Sequence, residues 1–104
     1  MLLIQDIWCR SIRLTDERLI HFETDHPEMQ GQIDKITETL AIPDRVVRSG
    51  TDSQVELFYK HYPATPVTTK YLCVVVKVLS DDHFIITSYF TDAMKKGEVI
   101  WEKK

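Results

Sequence analysis

The spacing of apolar residues changes at Pro43, and this change limits the folds that the chain can adopt. Before Pro43, residues such as Ile33, Ile36 and Leu40 recur at helical spacing, which predicts amphipathic helices. After it, apolar and polar residues alternate or form short apolar runs, which predicts β-strands. Helices followed by a strand meander predict an α+β domain with the helices packed on one face of an antiparallel sheet. The other face is then expected to be free for a functional site.

Two helices are predicted before Pro43. Thr15 is a suitable N-cap for the first helix, because acidic residues follow it in the first turn, where the helix dipole favours them. Pro27 is expected to end or kink this helix near Asp25. The second helix is predicted at residues 32–41. The first helix carries one apolar stripe, which consists of Leu19, Phe22, His26 and Met29.

Strands are predicted at residues 45–49, 54–62, 70–79, 83–91 and 98–101, with a short opening strand at 10–14. Segment 70–79 is apolar on both faces, which is typical of a central strand. A loop is predicted at 63–69, and a turn at 80–82 is expected to close a hairpin. No segment is long enough to be a linker, so residues 1–104 are expected to form a single domain.

The charge balance argues against general nucleic-acid binding, because the net charge is −3 and binding to phosphates needs a basic surface. The charge is unevenly distributed. Residues 1–54 contain ten acidic and six basic side chains, whereas residues 55–104 contain six acidic and seven basic ones. The predicted sheet half is therefore neutral to slightly basic, and it has the composition for a local positive groove.

The chain has the composition of a cytoplasmic protein without a membrane segment. It begins without a basic, signal-like region and has no apolar run near the ~18 residues that a transmembrane helix needs. Cys9 and Cys73 are far apart and belong to no metal or redox motif, so they are expected to be reduced packing groups. The histidines lack the spacing of a metal site, and no nucleotide-binding or serine-hydrolase motif occurs. We therefore predict neither a metal nor a cofactor.

His26 is the histidine best placed for chemistry. It shares the apolar stripe of the first helix, so its ring is expected to be partly buried near the sheet. A half-buried imidazole can act as a general base near neutral pH. A structural histidine at the helix end before Pro27 is an equally good interpretation. His21 lies one helical turn from Glu17 and Asp25, which is typical of a solvated surface group.

Cations and hydroxyl groups lie in several of the predicted strands. Arg48, Lys60 and Lys77 come from three strands, and on one shared face they would clamp a phosphate and stabilise a phosphorane. The alternative is that they only decorate a solvated face. Alternation places Thr87, Tyr89 and Thr91 on one face of their strand, where hydroxyls can bind phosphate oxygens or only bridge strands. Lys95 and Lys96 follow in a loop close enough to touch a polyanion.

Several short motifs occur in a fixed order. They are Leu19-Ile20-His21-Phe22, the His26-Pro27-Glu28 helix end, Pro43-Asp44, Leu57-Phe58-Tyr59, Val74-Val75-Val76-Lys77, Thr87-Ser88-Tyr89, Lys95-Lys96-Gly97-Glu98 and Ile100-Trp101. In this order, over nearly the whole chain, they resemble the phage- and toxin-associated nuclease-like domains of the Barnase–EndoU–Colicin E5/D–RelE (BECR) fold. The resemblance is strongest in the His26-Pro27-Glu28 helix end and in Thr87-Ser88-Tyr89, although relatives more often have Ala in place of Ser88.

The resemblance implies two N-terminal helices on a four- or five-stranded antiparallel sheet. It also implies metal-independent cleavage of RNA, in which the ribose 2′-hydroxyl attacks the adjacent phosphate. By this analogy His26 is the general base, Arg48 and Lys77 stabilise the phosphorane, and Thr87 and Tyr89 bind the phosphate or donate a proton. Lys60, Thr91 and Lys95 are the expected substrate-binding residues. The acidic composition departs from the basic character of ribonuclease toxins.

Three hypotheses follow for the function. The first is a small ribonuclease, the toxin of a pair with a cognate antitoxin, and it predicts His26 within reach of cations on an open sheet face. The second is a catalytically inactive protein-binding module of the same fold, and it predicts scattered or ion-paired cations and an apolar groove. The third is a homodimer joined through a free strand edge. The placement of the cations on the sheet distinguishes these hypotheses.

Overall fold

The fold consists of two helices and seven strands in one sheet, as seen in a computed structural model that describes residues 1–66, 68 and 70–104. Positions 67 and 69, within the predicted loop 63–69, lie outside the described residues. The elements in chain order are β1 Leu2–Gln5, β2 Ser11–Leu14, α1 Asp16–Asp25, a 3-10 turn Pro27–Met29, α2 Ile33–Ala41, β3 Arg45–Ser49, β4 Val55–Tyr62, β5 Lys70–Val78, β6 His83–Thr91 and β7 Gly97–Glu102. The α+β class is confirmed.

The sheet is larger than predicted, and it is mixed. Its strand order is β1-β2-β6-β5-β4-β3-β7. All pairs are antiparallel except β2 and β6, which run parallel and share one register pair, Arg13 with Phe84. The prediction of four or five antiparallel strands was therefore wrong. Strand β1 escaped prediction because it is a four-residue edge strand in which only Ile4 is buried, so it shows no full alternation.

Strand β7 does not continue the meander. It pairs with β3 instead of β6, and it runs in the same direction as β6, so the chain must return along the sheet between them. Residues 92–96 make this return across the face opposite the helices, and we call them the crossover segment. Met94 packs into that face, and the backbone N–H of Lys95 donates to the Tyr59 hydroxyl at 2.9 Å. The open face is therefore partly covered, contrary to expectation.

The helices pack on the other face of the sheet, as predicted. Helix α1 begins at Thr15, whose hydroxyl accepts from the Arg18 N–H at 3.1 Å, and it ends before Pro27. Neither helix among the described residues is long and apolar enough to cross a membrane. The core between helices and sheet contains Phe22, Met29, Ile36, Leu40, Val46, Phe58, Leu72, Val74, Val76 and Ile85.

A buried ionic cluster ties the β1–β2 loop to the sheet. The Arg10 guanidinium contacts Asp6 at 2.7 Å and Glu56 at 2.6 Å, and both carboxylates are buried. Burial opposes the charge of Arg10, but its hydrogen bonds to Glu56 and Asp6 outweigh this and raise its pKa. Because the cluster closes a contact between β4 and a loop far away in sequence, local sequence patterns do not predict it.

Candidate functional site

A groove of about 400 Å³ lies on the open face, beside the crossover segment. We call it the sheet groove. Its floor is formed by apolar side chains of β4, β5 and β6, and its walls by the β3–β4 turn at residues 49–52 and by Thr87 and Tyr89. Lys95 and Lys96 of the crossover segment stand at its rim. The groove therefore combines an apolar floor with hydroxyl groups and cations.

Strand register brings the predicted hydroxyls to this face. Thr87 lies opposite Val75, Tyr89 opposite Cys73 and Thr91 opposite Tyr71. A register shift between Val75 and Val76 marks a bulge in the β5–β6 pair. Thr91 does not line the groove. Its hydroxyl forms hydrogen bonds with the backbone of residue 93 in a local turn.

The Cys73 thiol lies beneath the groove, within hydrogen-bonding reach of the Tyr59 and Tyr89 hydroxyls. Burial raises the pKa of Cys73 to about 11 and that of Tyr59 to about 12. Burial, together with the neighbouring thiol, also raises the pKa of Tyr89 above its ordinary value. All three groups therefore stay protonated near neutral pH. Cys73 is a packing group, as predicted, and the Tyr89 hydroxyl is suited to donate a hydrogen bond.

His26 lies just outside the groove and reaches it through Tyr89. Its ring centroid is 5.6 Å from that of Tyr89, and the two planes are tilted by 34°. The ring is half-buried, and its Nδ1 lies 3.9 Å from a carboxylate oxygen of Glu28. The end of α1 thus delivers an imidazole to the sheet edge from which Tyr89 projects.

The lysines at the groove differ in their partners. Lys95 and Lys96 are exposed, and no carboxylate of the described residues lies within ion-pair distance of either. The Lys77 ammonium, in contrast, contacts a carboxylate oxygen of Asp52, which lines the groove, at 2.7 Å. This hydrogen bond lowers the pKa of Asp52. Lys77 is therefore at the end of the groove, but it is neutralised there.

Arg48 and Lys60 lie on the opposite side of the sheet. Val46 belongs to the helix-side core and Val47 to the open-face cluster, so alternation returns Arg48 to the helix side. There its guanidinium contacts Glu98 at 2.6 Å. Lys60 lies two residues after the core residue Phe58 on β4, so both side chains are on the helix side of the sheet. The Lys60 ammonium donates to the backbone carbonyl of residue 42 at 3.1 Å. These two cations cannot meet a phosphate that is bound by Thr87 or Tyr89.

The structure therefore gathers His26, Thr87, Tyr89 and Lys95 around one groove, with Lys77 at its end. It does not bring Arg48, Lys60 or Thr91 there. Sequence reasoning predicted a turn at residues 50–53 but did not assign it to the site, where the Ser49 and Thr51 hydroxyls lie 3.1 Å apart at the groove wall. It also undervalued Lys96. The sequence signal available was the lysine doublet directly before Gly97. Gly97 holds the doublet close to β3, because a β-carbon on residue 97 would lie 2.3 Å from a backbone oxygen of β3.

Within the described part of the chain, no three His, Cys, Asp or Glu side chains are grouped as they would be around a metal ion. Comparison of the chain with protein-family models, with curated proteins and with solved structures finds no match. The BECR relationship thus stays a prediction from the order of motifs.

Proposed function

We propose that the sheet groove binds single-stranded RNA and that the protein is a metal-independent ribonuclease of the BECR type. The observation that carries this proposal is that two lysines and two hydroxyls line one groove, with the His26 imidazole beside the Tyr89 ring at its edge. Lysines attract phosphates, and the half-buried Tyr89 ring offers a surface on which a base can stack. Unstacked single strands present both features, so they fit this groove better than a duplex.

The proposed chemistry follows from the positions of these groups. A ring nitrogen of His26 takes the proton of a ribose 2′-hydroxyl, and the oxygen attacks the adjacent phosphorus while the bond to the 5′ oxygen breaks. The leaving 5′ oxygen takes a proton from water, so the products are a 2′,3′-cyclic phosphate and a 5′-hydroxyl. Thr87 and Tyr89 donate hydrogen bonds to the non-bridging oxygens. Lys95 and Lys96 replace Arg48 as the cations that stabilise the phosphorane, because they share the groove with the hydroxyls.

The net charge of −3 shapes what this site can achieve. Several acidic side chains are held in ion pairs with arginines on the β1–β2 loop and at the sheet edges, away from the groove. A few lysines at one groove provide a small, local attraction. We therefore expect weak RNA binding with a shallow dependence on salt. A general nucleic-acid binder with a broad basic surface makes more phosphate contacts and has a steeper salt dependence.

A second candidate function is the catalytically inactive protein-binding module. The ion pairs of Arg48 with Glu98 and of Lys77 with Asp52 favour it, because they occupy two cations that the nuclease resemblance assigns to catalysis. This candidate differs from the first in predicting a folded protein that cleaves no RNA.

Cleavage of a mixed RNA in EDTA distinguishes the two candidates. We would compare the wild type with His26→Ala, and use His21→Ala as the matched control. His21 lies in α1, is exposed, and its Nε2 lies 3.6 Å from a carboxylate oxygen of Asp25. The ribonuclease proposal predicts cleavage by the wild type and His21→Ala, with a loss of at least about 100-fold in folded His26→Ala.

Two outcomes would contradict the ribonuclease proposal. Absence of cleavage by the folded wild type favours the binding module. Equal cleavage by the wild type and His26→Ala assigns the activity to a contaminant or to another base. Tyr89→Phe provides a second test, because it keeps the ring beside His26 but removes the hydroxyl that is proposed to bind the phosphate.

A further inference from the structure

A second groove lies on the helix side of the sheet, where the helices end. Helix α2 ends at Ala41 and packs on β1, β4 and β5, and the groove lies beyond this end, beside β3 and β7. The groove there measures about 330 Å³, and its walls are the side chains of Ile7, Ile42, Pro43 and Trp101. We call it the Trp101 groove. It is separated from the sheet groove by the thickness of the sheet.

Large apolar side chains are exposed around the Trp101 groove. Ile42 is 57% exposed, and Trp8 on the adjoining β1–β2 loop is 40% exposed. The Trp8 ring meets Phe58 edge-on with centroids 6.0 Å apart, and Phe58, Val46 and Trp101 are register neighbours across three strands. Both tryptophans of the chain therefore lie on this part of the surface. Tryptophan in a concave, apolar setting is the side chain that most often dominates binding energy at protein interfaces.

Cations mark the rim of the Trp101 groove. The Lys60 ammonium is held at the rim by its hydrogen bond to the Ile42 carbonyl at 3.1 Å, and Lys103 lines the groove as well. Neither ammonium has a carboxylate within ion-pair distance among the described residues. An apolar floor between two unpaired cations is complementary to an apolar side chain that is flanked by carboxylates.

We propose that the Trp101 groove docks a segment of a partner protein in which leucine-like side chains lie next to acidic ones. The apolar side chain fills the space between Ile42 and Trp101, and the carboxylates meet Lys60 and Lys103. Such a segment would bury the apolar side chains that stay exposed beyond the end of α2. The docking rests on these residues alone and not on the proposed ribonuclease function, because the two grooves lie on opposite faces of the sheet.

Binding of three short synthetic peptides to the full chain tests this proposal by fluorescence anisotropy. The first combines leucine with glutamate, the second leucine with lysine, and the third serine with glutamate. We expect only the first to bind well, because only it matches both the floor and the rim. Ile42→Ser should weaken that binding about tenfold, whereas Ile20→Ser is the matched control, since Ile20 is 64% exposed on α1 and remote from the groove.

Charge reversal separates this proposal from the RNA site. Lys103→Glu should weaken the leucine–glutamate peptide about tenfold and leave RNA binding unchanged, and Lys96→Glu should do the reverse. Both lysines are exposed, so both variants are expected to fold, which circular dichroism would check.

Four results would overturn the docking proposal. They are equal affinity for the leucine–glutamate and leucine–lysine peptides, equal effects of Ile42→Ser and Ile20→Ser, binding of none of the peptides, and a dimer of the chain that Ile42→Ser dissociates. The last result would assign the groove to a second copy of the chain.

Discussion

Replacing Asp52 by Asn should strengthen RNA binding, although Asp52 itself is not proposed to touch RNA. Its carboxylate holds the Lys77 ammonium at 2.7 Å at the end of the sheet groove. Asn retains the side-chain oxygen that accepts from the Gln54 N–H at 2.9 Å, so the turn is preserved. What changes is the charge, because Lys77 is released to meet a phosphate.

The size of the effect follows from the number of phosphates that are neutralised. For single strands the logarithm of the binding constant changes by about 0.7 per contact for each tenfold change in salt. A phosphate contact adds almost nothing to binding at about 1 M salt. The added contact of Lys77 therefore strengthens binding about fivefold at about 0.1 M salt, but only about twofold at about 0.3 M. Contacts from Lys95 and Lys96 alone give a salt slope of about −1.4, and Asp52→Asn should steepen it to about −2.1.

The assay is anisotropy of a labelled single-stranded RNA, titrated at several salt concentrations. Asp34→Asn is the matched control, because it changes the net charge equally but lies in the first turn of α2, on the far side of the sheet. If both variants gave the same affinity and the same salt slope, Lys77 would not reach the bound RNA and the placement of RNA in the sheet groove would be refuted.

Three further predictions concern stability. Arg10→Met leaves two buried carboxylates without their cation, so it should lower the free energy of unfolding in urea by about 3 to 5 kcal/mol. The control Arg45→Met removes a half-exposed pair and should lower it by less than about 1 kcal/mol, and equal losses in the two variants would contradict the prediction. Gly97→Ala pushes a β-carbon toward a backbone oxygen of β3 at 2.3 Å and should cost about 1 to 3 kcal/mol, and an unchanged melting temperature would exclude this close approach. Because the hydrogen bond from Lys77 lowers the pKa of Asp52, the pair stabilises the fold fully above the ordinary value of 3.8 and loses this effect as the pH falls through the lower folded value. Urea unfolding between about pH 2 and pH 5 should show this loss in the wild type and not in Asp52→Asn.

The helices and the long strands could be predicted because local chemistry sets their limits. Thr15 caps α1 and Pro27 ends it, and the change of period after Pro43 marks the start of the strands. The pairing partners of β1, β2 and β7 could not be predicted in this way. Strand β2 meets β6 and strand β7 meets β3 through contacts across large sequence separations, on which local periodicity has no bearing.

The candidate site was predictable where a single strand determines it. Thr87 and Tyr89 share a face because they lie two residues apart on β6. Combining residues of different strands required their relative register, and a change of one residue moves every side chain to the opposite face. That is why Arg48 and Lys60 were grouped with Tyr89, although they lie on the helix side. The role of Lys95 depended on the path of the crossover segment, which loop composition does not specify.

The crossover segment also sets the time at which the sheet groove can form during synthesis. Strands β4, β5 and β6 are consecutive and can pair as soon as they are made, but residues 92–96 have their final place only when β7 has joined β3. At about 5 to 20 residues per second, β7 is synthesised about 3 to 10 s after β3. The nascent chain thus holds most of a sheet before it holds the rim lysines. Under the proposed ribonuclease function, a chain still being translated would therefore lack the assembled site with which to attack the messenger from which it is made.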